Sequence, residues 1–338
     1  MKHRSTFRKS AWLAGLAILC LAVIGLAAPA AWAGPQVLKI GWTTSDGPTD
    51  PYAIAAREFK KALDAAAPGQ FDVQFFPNRQ LGDEKEMLEG MSFGTLHMGV
   101  ITNAPIASIE PAFQVNDMPF LYSDEAQAHK VLDGAVGQAL MAKLAKKKIK
   151  GLGFAEGGFR QMINNVRPVV EPKDVEGVKW RVMQNPVYLG MFRALGGNAV
   201  PMAWGETFTA VQQGTVDGLE IPIAVIMNNG YFEVCKYLSL TNHTYSALGV
   251  LMSQKVFDKL SDANKKAVQQ AVKTAIASQR KMNAANEDKL KQTLASKGMQ
   301  INKIKDPAAF RAKVGPVYEE FKPSIGADIM DQVLAAVK

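Results

Sequence analysis

A guanidinium beside a helix start is the arrangement in this chain best suited to hold an anion. Arg181 lies near the end of the apolar run Val178–Met183, which reads as a short strand. Gln184-Asn185-Pro186 follows, and then the amphipathic run Val187–Leu195. Proline fits the first helical turn, where its missing N–H has no partner to lose, and asparagine before it is a favoured N-cap. Arg181 should therefore project next to free backbone N–H groups at the positive end of a helix dipole. A planar, permanently charged fork in that place suits a carboxylate. The competing reading is a structural ion pair with a nearby acid.

Catalytic groups are harder to assemble. His3, His97, His129 and His243 show no metal-ligand spacing such as HExxH, and neither a G-x-S-x-G elbow nor a phosphate loop occurs. The Asp83/Glu84 pair reads as ordinary acidic chemistry at a helix start. No cofactor or metal is expected.

The elements that must position Arg181 follow an α/β rhythm. Val37–Trp42, Phe71–Phe76 and Leu96–Ile101 read as strands. Between them lie helical spacing at Tyr52, Ala56, Phe59 and Leu63, and a helix that follows Asp83-Glu84 and closes at Gly90–Gly94. This βαβαβ order predicts a parallel sheet with helices on both faces. Gly151–Ala155 and Arg160–Val166 read as separate strands joined flexibly at Gly157-Gly158, where the chain should cross to a second lobe. Leu238–Leu240 and Tyr245–Met252 read as strands that return to the first lobe. The spacing predicts one long helix from Ser261 to Gly298, about 37 residues and roughly 55 Å, laid as a kinked strut across both lobes. The expectation is a two-lobe α/β protein with a cleft between the lobes. Lobe I comprises 34–157 plus about 244–286, and lobe II 158–243 plus about 287–338.

Residues 1–33 read as an address. Lys2, Arg4, Arg8 and Lys9 precede the 18-residue apolar run Ala11–Ala28, and Ala31-Trp32-Ala33 offers small residues for cleavage near Ala33. A retained anchor is the competing reading, since a run of that length can span a bilayer. Cys20 follows bulky Leu19 and fits a lipoprotein signal poorly. The leader holds four of the 39 Lys+Arg and none of the 31 Asp+Glu, so the remainder carries 35 against 31, a net +4. That balance argues against nucleic acid. Without the leader, Cys235 is the sole cysteine, so no intrachain disulfide is expected even in an oxidising compartment.

Taken in order, the runs QLGDEKEMLEGMSFGTLHMG, NDMPFLY, GFRQMINNVRP and RVMQNP…ALGGNAVPMAWGE…VQQGTVDGLEIP resemble the solute-binding proteins of TRAP transporters, of the DctP type. The resemblance covers essentially the whole chain after the leader. It implies a periplasmic, two-lobed binding protein that closes on a small organic anion. It also implies small and large membrane subunits as partners and an ion gradient, usually sodium, as the driving force. By the same resemblance Arg181 is the carboxylate clamp, Arg160 a second arginine near the ligand, Trp204 an aromatic wall and Gln184 a polar contact. Thr43, Glu84, and Thr102 or Asn103 occupy ligand-facing positions in the first lobe. Where the family often reads QENP this chain has Leu219-Glu220-Ile221-Pro222, so Ile221 replaces a polar contact and implies a smaller or less hydroxylated ligand. Two arginines near one cleft would suit an acid with two anionic groups, or a carboxylate or sulfonate flanked by hydroxyls. A periplasmic sensing module for a signalling receptor and an exported hydrolase are the alternative functions.

Overall fold

Two runs that read as pairs of short strands are each one long strand, and the molecule is organised around them. The computed structural model describes residues 34–338; the expected leader, 1–33, lies outside the described residues. The strands in chain order are β1 (Gln36–Gly41), β2 (Phe71–Phe76), β3 (Met98–Thr102), β4 (Ile149–Asn164), β5 (Lys179–Val182), β6 (Asn198–Pro201), β7 (Gly218–Pro222), β8 (Tyr237–Ser253) and β9 (Gln300–Lys303). They form one sheet in the order β2-β1-β3-β8-β4-β7-β5-β6, with β9 added beside β8.

The 16 residues of β4 and the 17 of β8 run antiparallel through both halves of the sheet. At about 3.3 Å per residue each reaches roughly 50 Å, enough to cross two lobes. The expected flexible joint at Gly157-Gly158 is a β-bulge instead: the register shifts between Glu156 and Gly158 and pairing resumes at Gly158↔Ser246. Gly158 has φ +91°, a conformation that disfavours any residue with a Cβ.

Helices cover both faces: α1 (Pro51–Ala66), α2 (Glu84–Phe93), α3 (Asn103–Ile109), α4 (Glu125–Asp133), α5 (Ala135–Lys143), α6 (Pro186–Ala194), α7 (Trp204–Gln212), α8 (Ile223–Asn228), α9 (Gln254–Asp258), α10 (Asp262–Ser296), α11 (Pro307–Val314), α12 (Pro316–Ile325) and α13 (Ala327–Ala336). The 35-residue α10 is one continuous helix capped by the Ser261 side chain. It packs on α1 and β4 in the first half and on α8 in the second.

Alternation along the strands sorts the core into two clusters, one per sheet face. In β8, Leu248, Val250 and Met252 join one, while Tyr245, Ala247 and Leu251 join the other. Each cluster runs through both halves of the sheet. The C-terminal helices also bridge the halves. Tyr318 Oη donates to Pro119 O, while α12 packs on α6. Cys235 is a free, buried thiol whose pKa burial pushes up to about 12, which suits an inert filler.

Candidate functional site

The carboxyl ends of β1, β3, β5 and β7 converge on a crevice between the two halves, the place where open α/β sheets take ligands. Its inner chamber, about 30 Å³, opens into an outer basin of about 290 Å³. Glu84, Arg181, Met183 and Trp204 line both.

Arg181 reaches this place because β5 ends one residue after it and Asn185 then opens α6. The Asn185 side chain accepts from Val187 N at 2.8 Å, and Pro186 occupies the first helical turn. The Arg181 side chain is buried, and its Nε and Nη2 donate to Met202 O at 3.0 and 2.7 Å. Its guanidinium lies 5.9 Å from the Trp204 ring centre. Burial pulls its pKa down, yet a guanidinium stays charged in a protein. No Asp or Glu oxygen lies within 4.0 Å of it among the described residues. A buried charge of this kind calls for an anion.

Arg160 is buried too, but its fork is occupied. Nε and Nη2 grip the Glu220 carboxylate, and Nη2 also donates to Glu220 O at 2.5 Å. Nη1 reaches Ser246 Oγ at 3.4 Å. Burial opposes both charges, but each partner favours the other's ionised form, so Arg160 is pushed up and Glu220 down. His243 Nε2 lies 3.3 Å from the same carboxylate, and burial pulls that imidazole's pKa down. Arg160, expected as a second arginine near the ligand, borders the chamber with its fork held by Glu220.

The first half supplies oxygens. Thr43 borders the chamber just past β1. Glu84 Oε1 accepts from Thr102 N at 2.6 Å and from Thr102 Oγ1 at 2.7 Å, and that hydroxyl lies 2.7 Å from Tyr52 Oη. Burial pushes the pKa of Glu84 up, with the Thr102 bonds and the Arg181 charge opposing.

The structure brings Arg181, Arg160, Glu84, Thr43, Thr102, Trp204 and Ile221 together around the inner chamber. Gln184 is exposed and borders only the outer basin. Asn103 stands apart: Nδ2 donates to Phe113 O and Asp117 Oδ2, both at 2.8 Å, and Oδ1 accepts from Asn116 at 3.0 Å. Its side chain is tied to residues 113–117, so of Thr102 and Asn103 it is Thr102 that borders the chamber. Sequence reasoning passed over Tyr52, Thr44, Met183 and Val225, which also line the chamber. Met183 was within reach, since a residue two beyond Arg181 on an extended chain shares its face.

The two halves also touch each other directly. Ser45 N donates to Asn229 Oδ1 at 3.0 Å, and Thr49 exchanges hydrogen bonds with Asn228. Arg79 lies so close to Gly205 that a Cβ there would be 1.6 Å from its Nη1. Among the described residues no helix is long and apolar enough to cross a membrane, and no cluster of His, Cys, Asp and Glu could hold a metal.

Residues 43–324 match the family model described as bacterial extracellular solute-binding protein, family 7 (DctP). The chain is 35% identical over 301 residues to the 2,3-diketo-L-gulonate-binding periplasmic protein YiaO of Escherichia coli K12, covering 88% of this chain and 91% of that one. Among solved structures it is similar to a TRAP periplasmic solute-binding protein from Polaromonas sp. JS666 bound to D-erythronate. The TM-score is 0.85 at 38% identity, covering 89% of this chain and 98% of that one. The sugar acid binding protein DctPAm from Advenella mimigardefordensis, in complex with galactonate, gives 0.87 at 34% identity, covering 90% and 98%. The chain belongs to the DctP family of TRAP-transporter solute-binding proteins.

Proposed function

We propose that this family member captures one small organic acid anion in the inner chamber, with Arg181 as the carboxylate anchor. The observation that carries the proposal is a buried guanidinium with no acid partner among the described residues, in a crevice between the two halves. Trp204 walls the ligand, Thr43, Thr102 and Glu84 meet its polar groups, Gln184 guards the outer basin and Ile221 limits its size. Each lobe contributes contacts only when shut, so the ligand shifts the population toward the closed form. The lobes divide where β4 and β8 cross, near 157/158 and 243/244. The protein binds without chemistry, and the basic start and apolar run of residues 1–33 address it to the periplasm. There it delivers its cargo to small and large membrane subunits driven by an ion gradient.

The test is a thermal-shift screen over small organic acids, because a ligand that prefers the folded state raises the melting temperature by mass action. At least one acid should stabilise the protein and remain chemically unchanged. Arg181→Ala should abolish that response. A hit that stabilises the variant equally would refute the anchor.

A further inference from the structure

We infer that Glu84 makes this a site for a monocarboxylate bearing a hydroxyl, and that it rejects acids with a second carboxylate. The inference rests on the proposed role of Arg181 and goes on to the charge balance around it. The charged residues bordering the inner chamber are Glu84, Arg160 and Arg181. Glu220 neutralises Arg160, which leaves one cation for the ligand, and one carboxylate satisfies it. Glu84 faces the same space: its Oε1 is committed to Thr102, while its Oε2 takes part in no hydrogen bond among the described residues. That oxygen suits a ligand O–H as donor.

A second carboxylate has nowhere to go. Beside Glu84 it meets like charge, or one of the two carboxyls must take up a proton; either way binding weakens. Turned outward, it enters a basin bordered by four carboxylates, Asp83, Glu84, Glu86 and Glu206, against two cations, Lys85 and Arg181. The rest of the chamber wall, with Met183, Ile221 and Val225, offers no charge to compensate.

Titration calorimetry with D-erythronate and meso-tartrate isolates the effect, because the two share one carbon skeleton and differ only in a terminal CH₂OH against a carboxylate. D-erythronate should bind at least about tenfold tighter, as expected for one uncompensated like charge. Glu84→Gln should shrink that ratio to under about threefold. The monoamide of meso-tartrate reads the same quantity in the unaltered protein, and should bind much better than meso-tartrate itself. Equal or tighter binding of meso-tartrate overturns the inference, as does a monoamide no better than the diacid, or no binding of D-erythronate. The proposed function falls separately, only if no acid of the wider screen gives a response that Arg181→Ala removes.

Discussion

Two buried arginines stand on neighbouring parts of one sheet and are used in opposite ways. Arg160, on β4, finds a carboxylate, a carbonyl, a hydroxyl and the Tyr188 ring within its own chain. Arg181, on β5, finds one carbonyl and the Trp204 ring. Both lie at crevice-facing positions, so neither location nor residue type separates them. The deciding difference is Glu220. A guanidinium given its own acid holds the fold together, whereas one left without an acid is the anchor proposed here for an anion.

The largest expected effect breaks the Arg160 half of the contrast. Glu220→Ala orphans a buried charge and should cost about 3–5 kcal/mol of stability in urea unfolding. Arg181→Ala orphans no acid, so the ligand-free protein should stay within about 1 kcal/mol of wild type. Its cost should appear in affinity instead, about 2–3 kcal/mol or roughly 30- to 150-fold in Kd by calorimetry. Equal destabilisation by the two substitutions would erase the distinction.

A third test concerns Asp117, which accepts from Asn103 and Asn185 at 2.8 Å each. Burial pushes this carboxyl up to about 8, with those amides and the Arg160 charge opposing. The folded chain therefore holds the proton more tightly than the unfolded chain. The resulting stability is complete below about pH 4 and fades as pH rises through 8. Asp117→Asn cannot titrate, so its stability relative to wild type should climb across that window, by at most about 1.4 kcal/mol per pH unit. A flat difference would mean that the carboxyl is ionised throughout. The smallest effect belongs to the Arg181 side: Trp204→Leu removes a cation–π contact worth about 0.5–1 kcal/mol, a two- to fivefold rise in Kd.

Much of this was legible from local chemistry. Asn185-Pro186 and Ser261 announced their helices, and the order of strands and helices announced the α/β class. What local pattern could not give was partnership. Arg160 and Glu220 are 60 residues apart and meet only because β4 pairs with β7, so nothing near GFRQ reveals that the arginine is taken. The choice between Thr102 and Asn103 stayed open for the same reason, since the partners of Asn103, Asp117 and Asn116, lie on a later turn. The glycines of β4 look like breaks because glycine usually ends a pattern; here they are bulges inside a strand whose partner supplies the order.

The shared strands carry a thermodynamic consequence. Neither half owns its central sheet or its apolar interior, since β4, β8 and both clusters pass through each. One side cannot melt and leave the other intact, so calorimetry should register a single cooperative endotherm for the pair of lobes.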